Sequence, residues 1–326
     1  MAIHNCHGTD AVRPIRLGAS NVPAEATMSS PTSIIVAVTL ALAGLSTAAV
    51  PAPASAADPC NLGVARPATY AHVVVIFEEN DSYSKVIGNT NAPYFNTLAS
   101  DCALATNYHD DASVSQPNYM AATGGDATGV GVHDSTPSIF GQAPSWRELE
   151  EGMGSNCGGA GTYYKRGHDP AYWYTPIAAA CKLDDTSTAN NDTGAASIPS
   201  PLPAYMFITP NVCHDHHWVS GCPQADTDAA NLAAMDTWLS GTLAKITATA
   251  DYQAGRTLML IAFDESGTST TTQVAMVAVA ADIAPVHDPT WYDHYALLRA
   301  SEETLGVSTL LGNAATANDM RAGMGF

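Results

Sequence analysis

Four apolar runs along the chain have the length of strands that are buried on both faces of a parallel sheet. The clearest covers residues 71–77, and Thr257–Phe263 closely resembles it. Shorter runs cover residues 204–208 and 274–280. Continuous apolar residues, rather than alternating ones, are typical of strands with helices on both sides. The pattern therefore predicts four strands, with residues 71–77 at the centre of the sheet.

Segments with apolar residues three and four positions apart lie between these runs and predict helices. The predicted helices cover residues 93–100, 145–153, 228–249 and 294–305, with Gly306 ending the last. Two polar segments rich in Gly, Ser, Thr and Asn, 154–161 and 184–203, are expected to be surface loops. Because strands alternate with helices, we predict an α/β domain with a mostly parallel central sheet and helices on both faces.

The first 56 residues are predicted to be an export signal. Residues 34–50 form an apolar run, which is shorter than the ~20 residues that a membrane span needs. The small-residue stretch 54–56 (Ala-Ser-Ala) resembles a signal-peptidase site, so cleavage is expected before Ala57. We therefore expect residues 57–326 to form a single secreted domain without stable membrane insertion.

Cysteine usage agrees with an oxidising compartment. One of the seven cysteines lies in the predicted leader, and the six that remain are an even number, which indicates three disulfides. We expect neighbours along the chain to pair, among 15 possible connectivities: Cys60 with Cys102, Cys157 with Cys181 and Cys213 with Cys222. A cysteine zinc site is disfavoured because the chain contains no C-x-x-C spacing.

The net charge of the chain indicates which kinds of molecule it is expected to bind. A formal net charge of -19 at pH 7 makes the surface anionic. Such a surface repels nucleic acid and acidic membranes, and it raises the local concentration of metal cations. We therefore expect a divalent cation as partner and no nucleic acid, whereas the oligomeric state stays unknown.

Acidic and amide residues follow the two strongest predicted strands. Residues 78–81 (Glu-Glu-Asn-Asp) come after the first, and residues 264–265 (Asp-Glu) come after Thr257–Phe263. The carboxyl ends of parallel strands share one edge of the sheet, where ligands bind. Oxygen ligands suit magnesium, calcium or manganese, and zinc also accepts carboxylate oxygen. The sequence thus predicts a divalent metal site, the alternative being two solvated acidic turns.

Ser115 is the candidate nucleophile. Pro117 is favoured in the first turn of a helix, which predicts that Ser115 or Gln116 lies at the helix N-terminus. Exposed backbone N–H groups and the helix dipole favour an anion such as phosphate at that position. The same field favours a serine alkoxide, although an ordinary helix cap is the alternative.

Histidines provide candidate proton donors. Residues 213–217 (Cys-His-Asp-His-His) contain three of them, in a loop that the expected disulfide would hold rigid. His214 or His217 is then placed to donate to a phosphoryl oxygen or to protonate a leaving group. His168 and His294 are weaker candidates, and His294, at the start of a predicted helix, is expected to bond a backbone carbonyl.

Taken in chain order, these segments resemble the phosphoesterase family of secreted acid phosphatases and phospholipase C enzymes, within the alkaline phosphatase-like superfamily. The resemblance extends over residues 71–312. The matching segments are VVVIFEENDSY (73–83), APYFNTL (92–98), SQPNYMAATG (115–124), HDP (168–170), TPNVCHDHH (209–217), TLMLIAFDES (257–266) and YDHYALLRASEE (292–303).

The resemblance implies a metal site and a catalytic serine. The implied metal ligands are Glu79, Asn80, Ser115, Asp264 and Glu265. Ser115 is also the implied nucleophile. The family often has His-Pro before this serine, whereas this chain has Ser113-Val114, so any contribution from that histidine is absent here. Glu78 duplicates the acidic residue before Asn80 and is an alternative ligand.

Four further residues have roles that the resemblance implies. Asn118 is expected to bind phosphate. His168, Asp215 and His217 match segments that surround the phosphoryl group in the family. Hydrogen bonds from such side chains to the equatorial oxygens favour phosphoryl transfer, which depends mainly on positioning and electrostatics.

The expected function is that of a secreted, metal-dependent phosphoester hydrolase, an acid phosphatase that acts on small phosphomonoesters through a phosphoserine intermediate. A phospholipase C that cleaves the head-group diesters of phospholipids is the nearest alternative. An alternative of another class is a secreted, metal-stabilised binding protein without catalysis. Replacement of the serine or of a metal ligand is expected for that class, and neither is seen here.

Overall fold

The central feature of the computed structural model is one large sheet. The structure describes residues 58–127, 129–188, 196–267 and 270–326, so the predicted leader lies outside the described residues. Within these ranges nine strands form the sheet, in the order β4-β3-β5-β1-β6-β7-β2-β8, with β9 beside β2. The strands are β1 His72–Glu78, β2 Ala103–His109, β3 Trp146–Glu151, β4 Asp185–Thr188, β5 Tyr205–Thr209, β6 Thr257–Phe263, β7 Gln273–Val279, β8 Val286–Asp288 and β9 Tyr292–Asp293.

The sheet is mostly parallel, as predicted. Strand β7 is antiparallel to both of its neighbours, β6 and β2, and the other pairs are parallel. Strand β1 lies between β5 and β6, and its Val75 is opposite Phe207 on one side and Leu260 on the other. All the residues from Val73 to Phe77 are buried. Burial of successive residues shows that both faces of β1 are covered, because successive side chains point to opposite faces.

Helices cover the sheet in two separate groups. Helix α2 packs against α7, and α3 packs against α9. The helices are α1 Tyr83–Val86, α2 Pro93–Asp101, α3 Ser115–Gly124, α4 Ile139–Gln142, α5 Pro170–Trp173, α6 Ala178–Asp184, α7 Asp228–Thr247, α8 Ala250–Gln253, α9 His294–Thr304 and α10 Arg321–Met324. Short 3-10 helices cover Arg166–His168, Thr175–Ile177 and Gly312–Ala315. In the described part of the chain, none of the helices combines the length and apolarity that crossing a bilayer requires.

Two predictions of secondary structure are wrong. Residues 145–153 were expected to be helical, but Trp146–Glu151 forms strand β3. Glutamates favour helices in isolation, but β3 lies between two parallel strands, and packing in a sheet overrides local propensity. The segment 184–203 was expected to be a loop, but its first part forms the edge strand β4. Residues 189–195 of that segment lie outside the described residues.

The other predicted elements are confirmed to within two or three residues. Strand β6 has the predicted bounds, and β1, β5 and β7 are displaced by one residue. The long predicted helix ends at Thr247, and a separate short helix, α8, follows it. Strand β2, Ala103–His109, was missed because Thr and Asn interrupt its apolar run.

The three expected disulfides are present. Cys60 bonds to Cys102, which ties the start of the described chain to the start of β2. The others link Cys157 to Cys181 and Cys213 to Cys222. Three disulfides agree with an oxidising compartment.

Candidate active site

The ends of β1 and β6 place the two predicted acidic clusters side by side. Glu79 and Asn80 follow β1, and Asp264 and Glu265 follow β6. These strands are parallel neighbours, so their carboxyl ends lie at the same edge. The Asn80 backbone N–H donates to Oδ1 of Asp264 at 3.1 Å, and the Asp264 N–H donates to the carbonyl of Glu78 at 2.9 Å. The two strand ends therefore form one site.

Only a glycine fits where the two loops approach each other. Gly267 has a φ of +62°, and a Cβ placed on it would lie 2.6 Å from the carbonyl oxygen of Asn80. Asn80 itself has a φ of +48°. Left-handed backbone is rare for residues other than glycine and is typical of functional sites. Gly267 thus allows the loop after β6 to lie directly against Asn80.

Ser115 lies beside this pair of strand ends. It is the first residue of α3, and its Oγ donates to Oε2 of Glu79 at 3.1 Å. One turn further along α3, the hydroxyl of Tyr119 donates to Oε1 of the same carboxylate at 2.5 Å. Tyr119 was not among the predicted site residues. The predicted motif SQPNYMAATG contains it, but nothing in the sequence showed that its hydroxyl reaches Glu79.

A third strand end, after β5, brings the histidine segment to the site. The Glu79 N–H donates to the carbonyl of Asp215 at 2.9 Å. Asp215 contacts two histidines, with Oδ1 lying 3.1 Å from Nδ1 of His217 and Oδ2 lying 3.5 Å from Nδ1 of His168. Nδ1 of His168 is also 3.2 Å from Oε1 of Glu79. Asp215, His168 and His217 thus lie around Glu79, and their contact with a phosphoryl group stays a prediction.

The three histidines of residues 213–217 have different partners. Nε2 of His217 contacts the amide nitrogen of Asn80, whereas Nδ1 of His214 lies 2.9 Å from Glu151. Nε2 of His216 lies 3.5 Å from Asp81. Of the two predicted proton donors in this segment, the structure therefore brings His217 to the site and holds His214 on Glu151.

Burial and mutual repulsion perturb the acids of the site. Burial, followed by the charges of Asp264 and Asp215, raises the pKa of Glu79 well above its usual value. Burial also raises the pKa of Asp264, and burial with the Asp264 charge raises the pKa of Glu265 to about 7. Burial acts to raise the pKa of Asp215, but the charges and hydrogen bonds of His217 and His168 together outweigh burial and lower it. Carboxylates crowded in this way favour a cation among them.

Unpartnered oxygen atoms show that the predicted residues fit a metal. Oδ1 of Asn80 and Oδ2 of Asp264 are buried and have no hydrogen-bond partner among the described residues. Carboxylate and amide oxygens of this kind suit a hard divalent cation. Glu79, His168 and Asp215 also hold possible ligand atoms within 4.8 Å of one another. The site can therefore hold a divalent cation, and its chemistry admits more than one of the common metals.

Asn118 is bonded to the loop that precedes Ser115. It is fully buried, and its Oδ1 accepts the N–H groups of Asp111 and Ala112 at 2.9 and 3.0 Å. Its Nδ2 donates to the carbonyls of Ala112 and Val114. These bonds use the whole amide to hold the loop before Ser115. The phosphate contact of Asn118 stays a prediction without a geometric counterpart.

A cavity of about 880 Å³ opens beside the strand ends. Asn80 and Glu265 line it, together with Asp110 and Asp111, which the sequence analysis did not single out. These aspartates follow β2, so the same rule of acidic residues after a strand applies to them. Burial raises the pKa of Asp110 to about 6 and that of Asp111 to about 8. The cavity is large enough for a small substrate.

His294 has the supporting position that was expected of it. Its Nε2–H donates to the carbonyl of Asp264 at 2.6 Å, and the hydroxyl of Tyr108 donates to its Nδ1 at 2.8 Å. Burial lowers the pKa of His294 to about 4, so the ring is neutral and its tautomer follows from its partners. His294 therefore helps to fix the backbone of a predicted metal ligand.

The architecture defines the class of the protein. An alkaline phosphatase superfamily protein from Vibrio parahaemolyticus has a similar fold, with a TM-score of 0.52 over 76% of this chain and 68% of that one. The two sequences are 10% identical over the aligned part, so this likeness concerns the fold alone. The predicted alkaline phosphatase-like fold is confirmed.

Sequence comparison narrows the class. A phosphatidylinositol-3-phosphatase of Mycobacterium tuberculosis is 26% identical over 258 residues, covering 73% of this chain and 78% of that protein. A probable acid phosphatase of Kluyveromyces lactis is 27% identical over 270 residues, covering 72% of this chain and 58% of that protein. No protein-family model matches the chain. The similarity to phosphoesterases of the alkaline phosphatase-like superfamily, which the motifs indicated, is confirmed.

Proposed function

We propose that this protein is a secreted, metal-dependent phosphomonoesterase that uses Ser115 as its nucleophile. One observation carries the proposal: the hydroxyl of Ser115 lies 3.1 Å from the carboxylate of Glu79, at the point where the ends of β1 and β6 meet. A phosphoester hydrolase is supported by the phosphatase relatives in sequence. Both relatives are named phosphatases, which favours monoesters over the head-group diesters of a phospholipase C.

In the proposed mechanism, Ser115 attacks phosphorus. Its Oγ forms the new P–O bond while the bond between phosphorus and the leaving oxygen breaks, and the hydroxyl proton passes towards Glu79, its hydrogen-bond acceptor. The N–H groups at the start of α3 and the helix dipole favour the negative charge of the phosphoryl group. Water then cleaves the phosphoserine ester, which returns the serine and releases phosphate.

His217 is the proposed proton donor to the leaving oxygen. The carboxylate of Asp215 accepts from its Nδ1–H at 3.1 Å, which leaves Nε2 facing Asn80 at the site. Burial acts to lower the pKa of His217, but the charge and hydrogen bond of Asp215, together with the Asp264 charge, outweigh burial and raise it. His168, which is held between Glu79 and Asp215, is proposed to contact the phosphoryl oxygens.

A divalent metal completes the proposed site. When bound, it stabilises the serine alkoxide and the negative charge on the phosphoryl oxygens. The residues proposed to hold it are Glu79, Asn80, Ser115, Asp264 and Glu265.

Replacement of Ser115 by alanine tests the mechanism. We expect Ser115→Ala to lower kcat for p-nitrophenyl phosphate by at least about 1000-fold, because no nucleophile remains. The control is Ser113→Ala, which changes a nearby serine in the loop before α3. Near-normal turnover by Ser115→Ala, with circular dichroism unchanged, would refute the proposal.

A substrate comparison separates the two kinds of phosphoester. We expect a higher kcat/KM for p-nitrophenyl phosphate than for p-nitrophenyl phosphorylcholine, a diester that carries the same leaving group. Because the leaving group is identical, a difference in kcat/KM reflects only whether the substrate is a monoester or a diester. The opposite order of kcat/KM would favour the phospholipase C alternative.

Export is proposed from the leader and from the disulfides. We propose that residues 57–326 are the mature domain, released by cleavage after Ala56. Mass spectrometry of the protein from the culture medium measures its N-terminus directly. A protein that stays inside the cell with its leader intact would contradict this part of the proposal.

A further inference from the structure

A second group of buried carboxylates lies at the edge of the sheet. Glu148 comes from β3, Asp185 from β4, and Asp169 caps the N-terminus of α5. All three are fully buried, and their possible ligand oxygens lie within 4.8 Å of one another. Glu150, two residues along β3 from Glu148, is buried as well.

Some oxygen atoms of this edge cluster have hydrogen-bond partners. Oε2 of Glu148 accepts from the N–H of Ala171 at 2.9 Å. Asp169 accepts from the N–H of Tyr172 at 3.1 Å and from the hydroxyl of Tyr164 at 2.6 Å. These bonds hold the carboxylates in place but do not neutralise them.

Other oxygen atoms have no partner. Oε1 of Glu148, Oε1 of Glu150 and Oδ1 of Asp185 are buried without a hydrogen bond among the described residues. The described residues also provide no lysine or arginine ion pair for these three side chains or for Asp169. A buried charge without compensation is strongly unfavourable. The cluster therefore requires either a cation or protons.

We propose that Glu148, Asp169 and Asp185 bind a calcium ion, distinct from the metal of the active site. Calcium accepts oxygen ligands at about 2.3–2.6 Å, so two ligands on opposite sides of the ion lie about 4.6–5.2 Å apart. The possible ligand oxygens of the three carboxylates lie within 4.8 Å of one another, which is close enough for one ion to contact all three. The described cluster offers oxygen rather than nitrogen or sulfur ligands, which favours calcium over zinc.

The ion would join three segments of the chain. It connects β3, β4 and the turn that carries Asp169. His168, which contacts the active-site carboxylate Glu79, is the residue just before Asp169. Calcium at the edge cluster thus stabilises the domain and fixes the turn that presents His168.

The competing explanation for the buried carboxylates is that they share protons instead of binding a cation. Asp169 and Asp185 are close enough to hydrogen-bond through one proton, and burial with the Asp169 charge raises the pKa of Asp185 to about 9. A protonated pair needs no ion. The two accounts differ because only the first makes stability depend on calcium.

Measurement of bound metal tests the proposal. Chelated protein is dialysed against Ca²⁺, and bound calcium is counted by mass spectrometry for wild type, Asp185→Asn and Glu148→Gln. We expect each of these variants to lose one equivalent. Glu302→Gln is the matched control, since it removes another buried carboxylate, which belongs to α9 and is not among the proposed ligands. Asp264→Asn tests the active-site metal separately, and we expect it to keep the calcium of the edge cluster.

Thermal unfolding provides a second readout. Calcium at 100 times its Kd is expected to raise the Tm of the wild type by about 5 °C. We expect Asp185→Asn and Glu148→Gln to lose this rise, and Asp264→Asn to retain it. Terbium provides a probe in the wild type, because Tyr164 contacts Asp169 and can sensitise its emission.

Either of two results would overturn the calcium site. One is an unchanged calcium count in both edge-cluster variants. The other result has two parts: the Tm of the wild type does not respond to calcium, and Asp185→Asn and Glu148→Gln are more stable than the wild type in chelator. The shared-proton account requires this combination. If the variants do not fold, the wild type alone provides the test: absence of sensitised terbium emission would also overturn the calcium site.

Discussion

The chemistry of a single residue in this site depends on the side chains that it contacts. Glu79 accepts from Ser115 and Tyr119 and also lies 3.2 Å from His168, so one carboxylate links three candidate groups. Glu78, the neighbouring residue in the chain, shares none of these contacts, and both of its carboxylate oxygens are without a partner among the described residues. Sequence reasoning left both glutamates open as ligands. Glu79 lies in a group of possible ligand atoms with His168 and Asp215, and its role as a metal ligand stays a prediction.

Replacement of His217 should affect poor leaving groups most. We expect His217→Ala to lower kcat by about 100-fold for an alkyl phosphate and by less than about 10-fold for p-nitrophenyl phosphate. A phenolate with a low pKa leaves without protonation, whereas an alkoxide does not. Steady-state kinetics with the two substrates measure the difference.

His214→Ala is the control for this experiment. His214 belongs to the same segment but contacts Glu151, so its loss should affect both substrates equally. Equal losses for the two substrates in His217→Ala would exclude a role as proton donor.

A variant of Asn118 tests whether this residue holds the loop before α3 or binds phosphate. Its four bonds to the loop before α3 predict that Asn118→Ala lowers the free energy of unfolding by about 2 kcal/mol or more, together with kcat. Urea unfolding and inhibition by inorganic phosphate are the measurements. If phosphate affinity alone falls while the unfolding free energy is unchanged, Asn118 binds phosphate as first predicted.

At the scale of elements, remote side chains complete several helix ends. The N-cap of α2 is Ala92, which has no side chain for capping. Asp236 of α7 replaces it, since its carboxylate accepts the N–H groups of Tyr94 at 2.9 Å and Phe95 at 2.7 Å. A carboxylate at this position also interacts favourably with the helix dipole.

Loss of this carboxylate should destabilise the packing of α2 on α7. We expect Asp236→Ala to lower the free energy of unfolding by about 1–2 kcal/mol, because two buried N–H groups lose their acceptor. Asp236→Asn keeps one acceptor and should lose less. Urea unfolding of both variants is the measurement, and an alanine variant as stable as the wild type would contradict the assignment.

Strand β3 shows where local pattern fails at this scale. Its sequence, WRELEE, is rich in helix-forming residues, but Glu148 and Glu150 point into a buried cluster. A local pattern cannot anticipate a strand whose charged residues are buried, because the groups that surround these residues come from α5 and β4.

For the whole molecule, buried acids link stability to pH. Glu302 is buried in α9, where its Oε1 accepts from Leu311 and its Oε2 has no partner among the described residues. Burial raises the pKa of Glu302 to about 7. The nearby charge of Glu303 raises this pKa further, whereas the hydrogen bonds from Leu311 and Gln142 lower it.

Glu302 should make the protein less stable as the pH rises. Below its unfolded pKa the group is protonated in both states, and above it the folded state keeps a proton that the unfolded state has released. Stability is therefore lost between about pH 4.5 and about pH 7, by about 2–3 kcal/mol.

Glu302→Gln removes this titration. We expect the difference in unfolding free energy between the variant and the wild type to shift in favour of the variant as the pH rises through this range. Urea unfolding at pH 4.5, 5.5 and 7 measures the difference. A difference that is the same at all three pH values would show that Glu302 does not titrate in this way.

The sequence by itself determined the parts of the protein that depend on local order. Apolar runs fixed the central strands, and Pro117 with Ser115 indicated the start of α3 to within the first turn. The pairing of all six described cysteines followed from their neighbours, and the strand ends that carry Glu79 and Asp264 were located by the residues that follow each run.

Only the tertiary structure decided which side chains meet. Tyr119 lies 40 residues from Glu79, and Asp236 lies 141 residues from Phe95, so no local pattern encodes either contact. The edge cluster is the clearest case, because it takes its carboxylates from two strands and a helix cap. Hydrogen bonds and charge interactions act over a few ångströms of space, whereas periodicity reports only distance along the chain.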